Sequence, residues 1–249
     1  MTHPDAATPM MIGTAGWSIP REASDAFAGA GSHLERYARV MPAAEINSSF
    51  HRPHRRSTYA RWAASTPDRF RFSVKIPRTI SHQHKLADTD ALLDGFLEEA
   101  GGLGAKLGVV LLQLPPSLAF DPAIAPGFLE SLRRRLAPHV HITCEPRHAS
   151  WLAADAEACL VEHRVARVAA DPARAEGGER TGGWPGLRYH RLHGSPRMYY
   201  SSYDDSYLAA LAATMAAGAQ AQAQVWCIFD NTASGAATGD ALRLRALLG

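Results

Sequence analysis

The chain has 249 residues, of which 46% are hydrophobic and 20% charged, so it can bury the core of a globular domain. Its formal net charge of +2 excludes charge alone as an argument for a nucleic-acid or membrane partner. Cys144, Cys159 and Cys227 form no CxxC pair, which predicts reduced thiols in a cytoplasmic protein.

The first residues predict no targeting or membrane segment. Residues 1–9 form a short polar segment, which predicts a flexible N-terminus without the basic and apolar regions of a signal peptide. No apolar run approaches the ~18 residues of a membrane span. We therefore expect a single domain over residues 10–249 and no membrane partner.

Segments that predict strands alternate with segments that predict helices. The predicted strands are 10–13, 44–48, 71–76, 107–114, 140–145, 165–170, 187–193 and 224–229. The predicted helices are 34–41, 57–65 with Ser57 as N-cap, 89–100, one opening at Asp121-Pro122, 154–163, 205–217 and 240–248. This alternation predicts the α/β class and a single (β/α)₈ TIM barrel.

One βα unit of the predicted barrel is irregular. After strand six the glycine-rich residues 175–183 stand where a helix should follow, so we expect a loop there.

Functional residues of such barrels gather at the carboxyl ends of the strands. The candidates there are Trp17, Glu45, Asn47, Lys75, Gln113, Glu145, Arg147, His148, Asp171, Arg191, His193, Asp230 and Asn231. Strand side chains alternate between the barrel interior and the helix layer. The polar positions that share a parity, and so are predicted to face the interior, are Glu45 with Asn47, Ser73 with Lys75, and Tyr189 with Arg191 and His193.

Seven motifs carry a family resemblance. They are GTAGW at 13–17, EINSSF at 45–50, FSVKIP at 72–77, QLPP at 113–116, EPRHASW at 145–151, RLHG at 191–194 and FDNT at 229–232. In this order the chain resembles the YecE-like family, called domain of unknown function 72. The resemblance implies a (β/α)₈ barrel and no particular reaction.

Three positions depart from the pattern of that family. The family usually has an aromatic residue at His51, Phe at Pro146 and Asn at Asp230. The acid at Asp230 changes the local charge.

Glu45 and Glu145, on strands two and five, predict a general acid and base, and His193 is a further acid–base candidate. A carboxyl separation near ~5 Å or ~8 Å would indicate retaining or inverting sugar chemistry. The structural alternative is an ion-pair network, such as Glu45 with Lys75 or Glu145 with Arg191.

The cluster of Lys75, Arg147 and Arg191 predicts a small polar or anionic ligand. Asn47, Gln113 and Asn231 would orient that ligand. Aromatic walls are predicted from Trp17, Trp151, Tyr199 and Tyr200, and residues 195–203 as a lid.

No cofactor is predicted. His148 and His193, with Glu45, Glu145, Asp171 and Asp230, leave a divalent metal open as an alternative, although no HExxH motif is present. Basic residues at 51–56 lie beside the predicted mouth, and those at 133–135 are predicted on a solvated helix face. The near-neutral net charge does not favour nucleic acid.

The sequence therefore leaves three functions open. The first is an enzyme with metal-independent, cofactor-free acid–base chemistry, by hydrolysis or a lyase or isomerase step. The second is a metal-dependent phosphodiesterase or endonuclease, by analogy of fold alone. The third is a non-catalytic ligand-binding module.

Overall fold

In the computed structural model, which describes residues 10–249, ten strands form one barrel-shaped sheet. The strands are β1 Met11–Ala15, β2 Ala43–Ile46, β3 Arg71–Lys75, β4 Leu107–Gln113, β5 His141–Glu145, β6 Val165–Arg167, β7 Ala169–Asp171, β8 Gly182–Gly183, β9 Leu187–Leu192 and β10 Gln224–Phe229. The α-helices are α1 His33–Val40, α2 Arg56–Ala64, α3 Asp90–Ala100, α4 Ala125–Arg135, α5 Ala154–Glu162, α6 Asp205–Gln220 and α7 Ala236–Leu248. The prediction for residues 1–9 lies outside the described residues.

The two ends of the sheet meet at Val168. Neighbouring strands follow the order β7-β9-β10-β1-β2-β3-β4-β5-β6-β8. β6 pairs with β5, and β7 pairs with β9, each in parallel. Since only Val168 separates β6 from β7, and the Val168 N–H donates to Cys144 O at 2.8 Å, the barrel is nearly closed at this point. The predicted α/β barrel is confirmed.

The predicted count of eight strands differs from the structure at one place. Strand six is divided at Val168, and the additional β8 pairs antiparallel with β6. Its Gly183 adopts φ +65°, and a Cβ there would lie 2.4 Å from Val165 O. The irregular unit is confirmed, because no helix lies between Asp171 and Leu187 in the described chain.

One predicted helix cap and two predicted helix starts are wrong, whereas the starts predicted at 34 and 89 are off by a single residue. α2 begins at Arg56 after Arg55, which gives no side-chain cap, so Ser57 is not the N-cap. Residues 121–124 form a turn in which Asp121 Oδ1 accepts from Ala123 N at 2.8 Å, and α4 begins at Ala125. α7 begins at Ala236, before the predicted 240, because Gly235 ends the preceding turn with φ 82°.

The core has two parts. The larger part lies between the sheet and the helices, where Ile46, Phe72, Val74 and Leu112 are buried. The smaller part fills the barrel with the apolar side chains of Met11, Ala43, Val109, Leu111, Ala166, Val168, Leu187, Tyr189, Trp226 and Ile228. These residues precede the polar positions on the same strands, so the polar side chains occupy the carboxyl end of the barrel.

Within residues 10–249, no helix is both long and apolar enough to cross a membrane. All three cysteines are free, buried thiols. Burial raises the pKa of Cys144 and Cys227, so these two thiols stay protonated at neutral pH.

Candidate functional site

Arg191 lies at the centre of a buried network of charges. Its Nη2 donates to Glu45 Oε1 at 2.7 Å, and its Nη1 donates to Glu145 Oε2 at 3.1 Å. Nη2 also lies 3.0 Å from Asp230 Oδ2. One guanidinium therefore contacts carboxylates from β2, β5 and the end of β10. Burial would lower the pKa of Arg191, but Asp230, Glu45 and Glu145 raise it well above its usual value.

Strand alternation places this network as predicted. Ile46 and Leu192 pack in the outer core, so their neighbours Glu45 and Arg191 face the barrel axis. Of the two ion pairs considered from the sequence, Glu145 with Arg191 is present. Glu45 pairs with Arg191 rather than with Lys75.

His193 bridges two of the same carboxylates. Its Nδ1 lies 3.0 Å from Asp230 Oδ2 and its Nε2 lies 3.1 Å from Glu145 Oε1. Both ring nitrogens can donate only in the imidazolium form. Burial would lower the pKa of His193, but the charge of Glu145 and the hydrogen bonds to Asp230 and Glu145 raise it. The geometry therefore favours a charged His193.

Glu145 is the most heavily bonded carboxylate. Gln113 Nε2 donates to its Oε1 at 2.9 Å, and Arg147 lies 3.3 Å from the same oxygen. Burial would raise the pKa of Glu145, but Arg191, His193 and Arg147 hold it well below its usual range. Glu145 therefore stays ionised at neutral pH.

Deeper in the barrel interior, the Tyr189 hydroxyl contacts both Glu45 and Ser73. The Tyr189 hydroxyl lies 3.1 Å from Glu45 Oε2 and 2.9 Å from Ser73 Oγ. Both Glu45 and Tyr189 are fully buried. The hydrogen bond from Tyr189 therefore helps to fix Glu45 in the position from which it binds Arg191.

Lys75 is buried beside the network without an ion pair of its own. Its side chain is 5% exposed, and no carboxylate oxygen of residues 10–249 lies within 4.0 Å of its Nζ. The ammonium instead lies 4.0 Å from the centre of the Phe50 ring. Burial and the charge of Arg191 lower the pKa of Lys75 to about 8, although Glu45, Glu145 and Asp230 oppose that shift.

A cavity of about 590 Å³ opens at this end of the barrel. It is lined by Asn47, Phe50, His51, Lys75, Arg78, His82, Gln113, Arg147, Tyr199, Tyr200, Asp230, Thr232 and Ala233. Five of the predicted site residues are in this lining, namely Asn47, Lys75, Gln113, Arg147 and Asp230. Glu45, Glu145, Arg191 and His193 are in the network behind it.

Positive charge dominates the lining. Lys75, Arg78 and Arg147 face one carboxylate, Asp230. The positive potential of the lining also acts on His82. Burial together with the charges of Lys75, Arg147 and Arg78 lowers the pKa of His82 to about 4. The cavity is therefore suited to an anion.

Two tyrosines of the predicted lid, Tyr199 and Tyr200, line the cavity, whereas both tryptophans pack elsewhere. Trp17 stands edge-on to Trp62 at 5.1 Å and also contacts Phe72. Trp151 donates to Leu118 O at 3.0 Å and packs on Phe120. The indoles are thus parts of the helix layer.

Three other polar residues predicted at the mouth form hydrogen bonds with neighbouring parts of the chain. His148 Nδ1 accepts from Ser150 N at 3.2 Å and caps the short helix Ala149–Leu152. Asn231 Nδ2 donates to Asp240 Oδ2 at 2.6 Å and to Ser201 O at 2.9 Å. Asp171 Oδ1 accepts from the Tyr203 hydroxyl at 3.0 Å. These contacts position loops around the mouth.

Only one of the three arginines at 133–135 is exposed to solvent, so the prediction of a solvated helix face is wrong for the other two. Arg133 donates to Val140 O at 2.8 Å, and Arg135 pairs with Asp94 at 2.7 Å, so only Arg134 is exposed. In the run 51–56, His51 lines the cavity and Arg52 is exposed.

Arg78 and Phe50 were not singled out from the sequence as site residues. Both lie just past the ends of strands, in turns whose direction strand alternation does not predict. The FSVKIP motif ends one residue before Arg78, which is the signal that could have drawn attention to it.

The candidate metal ligands are engaged in other contacts. Among the residues that the structure describes, no group of three or more His, Cys, Asp or Glu side chains is arranged to hold a metal ion. Glu145 and Asp230 bind Arg191 and His193 instead.

Fold and site together define an α/β barrel protein with a buried arginine–carboxylate network beside a cationic mouth cavity. The family model described as "Protein of unknown function DUF72" matches residues 11–249, so the chain belongs to that family. The resemblance noted in the sequence is confirmed.

Relatives support the same assignment. Over 124 residues the chain is 36% identical to UPF0759 protein YecE of Escherichia coli (strain K12), covering 49% of this chain and 43% of that protein. The match therefore spans less than half the length of that relative.

Two solved structures show the fold. A DUF72 family protein of Enterococcus faecalis V583 superposes with a TM-score of 0.81 at 21% identity, covering 96% of this chain and 95% of that one. Another from Thermotoga maritima MSB8 gives 0.76 at 21% identity, covering 96% and 99%.

Proposed function

We propose that the protein is an enzyme that binds a small anionic compound in the mouth cavity and performs metal-independent acid–base chemistry on it. The observation that carries this proposal is the position of Asp230. It lines the cavity beside Lys75, and it also forms an ion pair with the buried Arg191 and a hydrogen bond with His193. Ligand and network therefore share one carboxylate.

Binding would come from the cations of the lining. Arg147 uses Nε and Nη2 for Glu145, and Arg78 is exposed at the rim. Guanidinium groups bind carboxylate and phosphate in bidentate geometry. Asn47 and Gln113 would orient the polar parts of the ligand.

In this proposal, Asp230 and Lys75 are the groups that exchange protons with the ligand. Glu45, Glu145 and His193 were predicted as catalytic residues. They do not line the cavity, and they would act on the ligand through the residues that do. Glu45 and Glu145 hold Arg191 in place, and His193 supplies a positive charge and a proton next to Asp230. The step would be hydrolysis, or a lyase or isomerase reaction. We place it in the cytoplasm on the strength of the three free thiols.

Anion binding can be tested through His82. Inorganic phosphate is added to labelled protein while the His82 ring is titrated by NMR. A bound anion should raise the pKa of His82 from about 4, because it offsets the charges of Lys75, Arg147 and Arg78. Arg147→Met should weaken phosphate binding roughly tenfold, by about 1.4 kcal/mol. The control Arg180→Met removes an arginine that is 81% exposed and should change nothing. An unchanged His82 at saturating phosphate would remove the anionic ligand from the proposal.

Turnover can be tested with p-nitrophenyl phosphate and phosphorylated sugars in the presence of EDTA. Asp230→Asn should lower kcat by about 10²–10⁴-fold, as expected for loss of a general acid or base. Full activity in that variant would show that Asp230 transfers no proton.

Elemental analysis of protein purified without chelator checks the metal-dependent alternative. Stoichiometric zinc, manganese or iron, with activity lost in EDTA, would replace the proposal with the phosphodiesterase hypothesis.

A further inference from the structure

Lysine is rare in this chain, and one lysine is in the cavity. Of 26 Lys and Arg residues, the lysines are Lys75, Lys85 and Lys106. Lys106 donates to Ala63 O at 2.7 Å, and Lys85 is exposed. Lys75 alone of the three lines the mouth cavity.

The surroundings of Lys75 differ from those of a lysine that serves as a charge partner. The carboxylates of Glu45, Glu145 and Asp230 all bind Arg191, which leaves the Lys75 amine without an ion pair within the described residues. The amine is nearly buried and borders open space. A desolvated amine next to a second cation is the setting in which lysine becomes a nucleophile.

We infer that Lys75 forms an imine with a small carbonyl compound that also carries a carboxylate or phosphate group. The inference rests on the anionic ligand proposed above for the same cavity, and it names the substrate class. Arg147 and Arg78 would hold the anionic group while the carbonyl carbon faces Lys75.

The chemistry balances with one proton taken from solvent and needs no oxidant or reductant. The neutral Lys75 Nζ forms a bond to the carbonyl carbon, and the C=O π pair moves to the oxygen, which takes a proton. Nitrogen then loses a proton, the hydroxyl gains one, and the C–O bond breaks. The products are a protonated imine and one water. Asp230, which lines the same cavity, is the group placed to accept the proton from nitrogen and return it to the hydroxyl. The one further proton, which the protonated imine retains, comes from solvent.

Neutral amine is needed for the first bond, so trapping should accelerate as pH rises through the Lys75 pKa of about 8. The charged groups that surround this amine are Arg191, Glu45, Glu145 and Asp230, and the His82 ring, which is neutral at this pH, also lies near it. Their combined effect leaves a useful neutral fraction near pH 8.

Reductive trapping tests the inference. Wild-type protein is incubated with pyruvate and sodium cyanoborohydride, and adducts on the three lysines are quantified by peptide mass spectrometry. We expect modification of Lys75 to exceed that of Lys85 by at least about tenfold. Inorganic phosphate should compete, and acetone, which lacks an anionic group, should react far less.

Variants make the assignment specific. Lys75→Arg keeps the positive charge and should remove the cavity adduct, whereas Lys85→Arg should leave it intact. Equal labelling of Lys75 and Lys85, or none at Lys75, overturns the imine. If His82 still responds to phosphate in that case, the proposed function survives; if His82 is also silent, both fail.

Discussion

Arg191 and Glu45 form a fully buried ion pair, with 2.7 Å between Nη2 and Oε1. Because Glu145 and Asp230 bind the same guanidinium, Arg191 is the cation shared by three carboxylates in the barrel interior. Arg191→Met would leave those carboxylates buried without their common partner. We expect the free energy of unfolding to fall by about 3–5 kcal/mol at pH 7, measured by chemical denaturation.

The matched control for Arg191 is Arg180→Met, which removes an ion pair with Glu179 at the surface. That change should leave the unfolding midpoint where it is. The loss in Arg191→Met should shrink on acidification, because protonated carboxyl groups need no cation. Equal stability of the two variants at neutral pH would contradict the network as described.

The raised pKa of His193 predicts a pH dependence of stability. Burial alone would lower this pKa, but Glu145 and Asp230 raise it above 6.5. The folded protein therefore binds the proton more tightly than the unfolded chain. The resulting stabilisation is fully present below the unfolded pKa and is lost as pH rises through the folded value. Denaturation of wild type and His193→Gln across pH 6–9 should show this loss in the wild type alone.

NMR provides a direct check on His193. Both ring nitrogens should carry protons at pH 7, since each faces a carboxylate oxygen. A neutral ring at that pH would show that the proton resides elsewhere in the network.

The sequence predicted the barrel and the buried network for the same reason. Alternation along β2 and β9 placed Glu45 and Arg191 inside, because apolar Ile46 and Leu192 must face the helices. The partner of Glu45 could not be predicted in this way, since the choice between Lys75 and Arg191 depends on side-chain reach across the barrel.

The roles of loop residues could not be predicted in this way. Trp17 and His148 follow strands at the mouth, yet Trp17 packs on Trp62 and His148 caps a short helix. Their directions are set by turns and local hydrogen bonds that strand periodicity does not describe. For the same reason Arg78 was missed.

Close approach of β1 to β2 makes Gly13 a sensitive position. A Cβ there would lie 2.0 Å from Ala43 O, which is backbone and cannot move aside cheaply. Gly13→Ala should therefore lower the unfolding free energy by about 3 kcal/mol in thermal or chemical denaturation. Gly239→Ala, in α7 with nothing within 4 Å, should instead stabilise the protein by roughly 0.5–1 kcal/mol. A harmless Gly13→Ala would mean that the two strands are further apart.

The loop 194–203 carries two of the cavity tyrosines, and the Tyr203 hydroxyl anchors it. This oxygen accepts from Gly194 N at 2.8 Å and lies 3.0 Å from Asp171 Oδ1. Tyr203→Phe leaves the buried Gly194 N–H and the half-buried Asp171 carboxylate without that partner, at a cost of about 1–3 kcal/mol. Trypsin should then cleave after Arg197 faster than in the wild type, because the loop opens more often. Tyr200→Phe, which removes a hydroxyl from a side chain that is 45% exposed, should leave the cleavage rate unchanged. Equal cleavage in both variants would show that other contacts, such as Asn231 with Ser201, hold the loop.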